Sequence, residues 1–167
     1  KDSLRNILTA LVEMYVVLNN SKHRFRATLL VPDKTNCYLK PLVSVPFGGQ
    51  PFLTFSDSHD YKKNLSKSSN SIASISWQTM KVQSNSCDEI EYFHASQPSY
   101  LKSIIAAPLL VDNEISNIFS EKAILLDKVI GVVCMDCDDE SPLNKESHLL
   151  NAMLIQPFLN RLLFEML

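Results

Sequence analysis

The sequence predicts an α+β domain, and three observations carry that expectation. A seam of apolar residues spaced four and three apart opens the chain. Two unbroken apolar runs, "SIIAAPLLV" and "KVIGVVCMDC", lie in its last third, and a second helical pattern closes it. Helices at both ends of a chain with strands between them build one shared core. At 167 residues the chain can bury about 70% of its unfolded surface without disulfides or metals. We expect one domain over residues 1–167. Because it opens on Lys1 and stops inside the helical pattern "FLNRLLFEML", we expect it to be cut from a longer protein.

The opening helix runs from Ser3 to Asn20, with Asp2 or Ser3 as its N-cap. Leu4, Leu8, Leu11, Tyr15 and Leu18 repeat as a coiled-coil seam. Ile7, Val12, Met14 and Val16 make other faces apolar as well, and such a helix buries more than one side. One side suits its own domain and the other a partner. "FRATLLVP" and "CYLKPLVSVP" flank a polar turn and predict a β-hairpin, with Leu39, Pro41, Val43 and Val45 on one strand face. Pro41 marks an edge or a bulge.

Residues 47–70 are polar and aromatic and read as a surface loop. "NSIASISWQTMK" predicts a short helix capped by Asn70, and a brief strand comes next around Val82. "CDEIEYFHASQPSY" is irregular. The two apolar runs suit strands covered on both faces. The closing helix is expected to start at Ser141 as cap and Pro142 at its first position, and to kink at Pro157.

Composition excludes several functions. A net charge of −2 with scattered basic residues argues against nucleic-acid binding. The best basic cluster, His23–Arg24–Phe25–Arg26, runs straight into an apolar strand. With 3 glycines, neither a phosphate loop nor a dinucleotide fingerprint can be assembled. No apolar run reaches about 18 residues, so no membrane insertion is expected. There is no signal-peptide pattern either, and a cytoplasmic location is expected.

No metal is expected. Cys134 and Cys137, three apart on a strand, point to opposite faces and read as core residues. His23, His59, His94 and His148 show no ligand spacing. Asp136, Asp138, Asp139 and Glu140 read as a solvated turn. No Gly-x-Ser-x-Gly elbow occurs. The chain is therefore expected not to be an enzyme.

The order of segments resembles a GAF domain along almost the whole chain. The residues that carry the resemblance are Ile72, Ala73, Trp77 and Thr79 in the short helix and Val82 just after it. Ser103 to Leu109 in one strand and Val129 to Val133, with Gly131, in another complete it. The resemblance implies an antiparallel sheet of about six strands with helices on both faces and the terminal helices packed together. It further implies a sensory or regulatory input domain that binds a small molecule, or dimerises, or both. Candidate pocket residues are Trp77, Tyr92, Phe93, His94, Tyr100 and Ser103. Candidates for a homodimer interface are Leu4, Leu8, Leu11, Tyr15 and Leu18, with Phe158 and Leu162 from the closing helix.

The chain departs from the family in three ways. It lacks the Asn-Lys-Phe-Asp-Glu signature of cyclic-nucleotide binders. No bilin-attachment motif surrounds Cys87. Asp112 to Asp127 replaces a tight turn with an insertion that carries Ile115, Ile118 and Phe119. A ligand-free interaction module is the alternative reading. A free methionine sulfoxide reductase is a remote one, because its Gly-His-Ile-Ala-Cys-Asp signature is absent and Cys87 is succeeded by Asp88 and Glu89.

Overall fold

The computed structural model describes residues 1–20, 22–33, 38–46, 63–64, 71–86, 101–111 and 128–167. In chain order these form α1 (Asp2–Leu18), β1 (Phe25–Pro32), β2 (Tyr38–Pro46), β3 (Lys63–Asn64), α2 (Ile72–Thr79), β4 (Gln83–Ser86), β5 (Ser103–Val111), β6 (Lys128–Cys137) and α3 (His148–Met166). The six strands make one sheet in the order β3-β2-β1-β6-β5-β4. Every neighbouring pair is antiparallel. The α+β fold, with helices on both faces, is the one the resemblance implies.

Period-two alternation divides the sheet into two unlike faces. Phe25, Ala27, Leu29, Ile105, Ala107, Leu109, Val133 and Met135 point to one side, where Leu4, Leu8, Leu11 and Tyr15 of α1 and Ile155, Leu159 and Leu162 of α3 close over them. Leu30, Ala106, Val129, Val132 and Cys134 point to the other, under Ile72, Ala73 and Trp77 of α2. Cys137 packs with the first group and Cys134 with the second, as the strand spacing predicts.

Two local corrections have clear causes. The β1–β2 register shifts between Leu29 and Leu30, so that Leu29 faces Val43 while Leu30 faces Pro41 and Leu42 bulges out. Pro41 does sit beside a bulge. The bulge also turns the strand over, so Leu39 joins the α2-side cluster while Val43 and Val45 stay opposite it.

The second correction concerns α3, which starts at His148 and not near Ser141. Ser141, the expected cap, bonds within the preceding segment, as its polar neighbours do. Asp139 Oδ1 accepts from the backbone N–H and the hydroxyl of Ser141, and Asn144 Oδ1 accepts from the Ser147 N–H. Asn151 Nδ2 donates to the Pro142 carbonyl at 2.8 Å. In α2 the cap is Ser71 and not Asn70: its hydroxyl oxygen accepts from the Ser74 N–H. Met80, at φ 55°, ends that helix in the left-handed region.

Gly131 marks a close approach of β6 to β1. A Cβ there would lie 2.9 Å from the Leu30 carbonyl oxygen, a backbone atom that cannot step aside.

Candidate functional site

The two sheet faces differ in chemistry as well as in cover. The α1/α3 side is apolar across its centre. The α2 side carries a polar patch that the registers place in two rows. Arg26 on β1 stands opposite Asp136 on β6, and Asp136 stands opposite Ile104 on β5. In the next row Ser44, Thr28, Cys134 and Ala106 run across β2, β1, β6 and β5. α2 packs on the apolar part of this floor, on Leu30, Val129 and Val132. Half the floor is thus apolar and half polar, which suits a pocket that binds by area and orients by a few hydrogen bonds.

Arg26 and Asp136 are 6% and 4% exposed. The Arg26 Nε donates to Asp136 Oδ2 at 2.6 Å, and Nη2 donates to the same oxygen. Thr28 Oγ1 and Ser44 Oγ share a hydrogen bond at 2.9 Å.

This pair is the innermost rung of a ladder. Arg24 Nε and its backbone N–H donate to the two oxygens of Asp138, each at 2.8 Å. His23 Nδ1 lies 3.7 Å from Asp139 Oδ2. The acidic run is thus a solvated turn only in part: Asp139 and Glu140 lie exposed in the bend after β6, but Asp136 is buried on the strand, and the basic cluster at residues 23–26 faces the run across antiparallel strands. A mirrored pattern, His-Arg-x-Arg against Asp-x-Asp-Asp, was the signal for this pairing.

The two hydrogen bonds from Ser141 hold the Asp139 carboxyl below its ordinary value. Burial acts the other way on Cys137 and pushes its thiol up to about 12 from 9.0, helped by the charges of Asp138 and Asp139. Between those two values the unfolded chain gives up this proton and the folded chain keeps it, so stability falls as pH rises. Urea unfolding at pH 8 and pH 10.5 should show that loss, and Cys137→Ala should remove part of it.

The expected pocket residues do not all meet. Trp77 lies partly buried against the α2-side cluster. Ser103 is on the opposite face, paired with Cys137, and its hydroxyl donates to the Asp139 carbonyl at 2.5 Å. Alternation along β5 carries it away from Trp77. Tyr92, Phe93, His94 and Tyr100 lie outside the described residues, as do Cys87 and the 112–127 insertion.

Leu4, Leu8, Leu11, Tyr15 and Leu162 are buried in the domain's own core, so a partner cannot reach them without opening it. Phe158 is partly buried and Leu18 is exposed. Tyr15 also donates through its hydroxyl to Asn151 Oδ1 at 3.0 Å, which ties α1 to α3. The apolar side chains left outside are Val17 and Leu18 on α1 and Leu149, Leu150, Met153 and Phe164 on α3. No helix among the described residues is long and apolar enough to cross a membrane.

No protein-family model matches the sequence, and no curated protein does. Solved structures do match in fold. The GAF domain of an Acinetobacter phosphoenolpyruvate-protein phosphotransferase superposes with a TM-score of 0.52 at 13% identity, over 96% of this chain and 90% of that one. A far-red cyanobacteriochrome photoreceptor gives 0.53 at 17%, over 98% and 85%. A type II free methionine-R-sulfoxide reductase from Thermoplasma acidophilum gives 0.55 at 15%, over 97% and 95%. The fold is that of GAF domains. Because enzymes share it across nearly the whole chain, the expectation of a non-enzymatic domain does not stand.

Proposed function

We propose that this GAF-fold domain binds a small molecule on the α2 side of its sheet and serves as a sensory or regulatory input. The observation that carries this reading is the unequal chemistry of the two faces. Buried polar side chains belong where something polar meets them. Here the buried ion pair of Arg26 and Asp136, with Thr28 and the half-buried Ser44, lies on the face covered by an eight-residue helix, whereas the buried polar groups on the face closed by two long ones, Ser84, Ser103 and Asn151, are uncharged and bond within the protein.

Signalling would pass through the terminal helices. A ligand moves them only if it binds two arrangements with different affinity. We place a second copy of the chain against their outer side, where Leu149, Met153 and Phe164 are 73%, 67% and 60% exposed. Large apolar side chains on one side of a helix suit an interface. We place the protein in the cytoplasm, where buried thiols such as Cys134 and Cys137 stay reduced.

A second reading is favoured by one residue. Cys134 stands on the polar floor beside Thr28. A thiol there could take the oxygen of a sulfoxide and become a sulfenic acid, which an external dithiol would reduce back to the thiol with release of water. The known reductases of this fold act on free methionine-R-sulfoxide.

Native mass spectrometry of the freshly purified protein, beside the same sample denatured, tests the first reading. A dimer that sheds a small mass on denaturation is the expected result. A bare monomer that no compound library shifts would overturn it. Incubation with methionine-R-sulfoxide and dithiothreitol tests the second: methionine formation that disappears in Cys134→Ser supports it, and no methionine above the protein-free control rejects it.

A further inference from the structure

We infer that a second site, in the cleft between β5 and α3, takes a small uncharged ring compound that carries a hydroxyl, such as a phenol. The cleft lies at the rim of the α1/α3 side, across the sheet from Arg26 and Asp136.

Three local irregularities meet there, around a space of about 120 Å³. Met80 turns the chain at the end of α2 with a φ of 55°. The β5–β6 ladder slips between Leu109 and Leu110, passing over Ile130, and such a slip bends a strand. Pro157 takes one hydrogen bond out of α3, beside Gln156. Gaps in a close-packed interior rarely exceed one water molecule, so this space is large by comparison. Met80 and Leu110 stand exposed at its rim, and a molecule can enter past them.

The lining selects the occupant. Val82, Pro108, Leu109, Leu159 and Leu163 make an apolar wall, and no charged side chain belongs to it. An ion brought in would lose hydration with no opposite charge to replace it. An apolar cavity of about 150 Å³ holds one benzene, so this slightly smaller space takes a single ring with its edge at the open rim. The two polar side chains of the lining, Gln156 and Asn160, sit one turn apart on α3, and Gln156 Nε2 donates to Asn160 Oδ1 at 2.9 Å. That bond steadies the pair and leaves the Gln156 carbonyl oxygen and the Asn160 amide N–H to a ligand. A hydroxyl can donate to the first and accept from the second. A molecule so held touches the end of α2 and the middle of α3 at once, and therefore bears on the helices of both sheet faces.

Phenol, toluene and benzoate form a matched test, since they share one ring and differ in the group it carries. In two-dimensional amide NMR of the intact chain, phenol should shift the side-chain amides of Gln156 and Asn160 and the backbone amides of Met80 and Leu110. It should leave Thr28 and Asp136 in place. Benzoate should need a concentration about tenfold higher or more, because its charge finds no partner in the lining. Asn160→Leu, a change at an exposed position, should weaken phenol by about threefold or more and leave toluene no weaker. Gln156→Leu should do the same, and serves if the first variant does not fold. An equal response to phenol and benzoate, no response at the cleft, or an undiminished response to phenol in both variants would overturn the inference. So would shifts at Thr28 and Asp136 instead, which place phenol on the α2-side floor. Cleft resonances that move on dilution of the protein alone would overturn it as well, since a second copy then covers the cleft.

Discussion

Asp136→Leu should destabilise the domain by about 3–5 kcal/mol, whereas the double variant Arg26→Met/Asp136→Leu should recover most of that loss. The single change leaves the Arg26 guanidinium, 7% exposed at its side chain, in a protein interior without its carboxylate. Water cannot reach it well enough to compensate. Removing both charges removes the desolvation penalty of both. Apolar groups of similar volume then extend the neighbouring cluster of Leu30 and Val132. Urea unfolding of the four proteins gives the coupling directly. A double variant as unstable as the single one would show that the pair does more for the fold than cancel its own burial.

Phe25→Ala should cost about 3–5 kcal/mol, the range for deleting a buried aromatic ring. In a domain of this size that is a fall in melting temperature on the order of 10 °C. Phe25 is fully buried at the start of β1, with its ring centroid 5.6 Å from that of Tyr15. Tyr15 in turn reaches Asn151 on α3. The ring thus supports the contact between the sheet and both terminal helices, and the remaining cavity would have rigid strand on one side. Val17→Ala, at a position 73% exposed, should change stability by no more than about 0.5 kcal/mol. Equal effects at the two positions would contradict this packing.

Features that depend on local pattern were legible in the sequence. The end helices, α2, β5 and β6 all come from periodicity, and Pro41 announced its bulge. What escaped depended on partners far along the chain. The seam of Leu4, Leu8, Leu11 and Tyr15 has the spacing of a coiled coil, but a helix lying on its own sheet shows the same spacing. Periodicity reports that a face is buried, not by what. Ser141–Pro142 reads as a helix start, yet Asp139 accepts two hydrogen bonds from Ser141, and Ser147 and Asn151 donate to the Pro142 carbonyl, which holds those residues in turns. Ser103 lay on the expected strand, and only the register of β5 against β6 reveals its face.

The site was least legible where it is most informative. Asp136 sat in an acidic run that reads as a solvated turn, and Arg26 in a basic cluster that reads only as leading into an apolar strand. Their meaning appears only when the two clusters are set side by side.

The charge ladder between β1 and β6 also bears on how the chain finds its fold. Arg26 and Asp136 are 110 residues apart, so this central strand pairing is among the contacts with the longest loop to close. Two apolar strands meeting after so long a search could settle one step out of line, which would turn every side chain to the wrong face. Two rungs of opposite charge, at Arg24 and Arg26, with the His23 ring beside Asp139, leave one alignment in which all are matched. A shift of either strand would separate both ion pairs at once, so the register that buries the apolar faces is also the one that matches the charges.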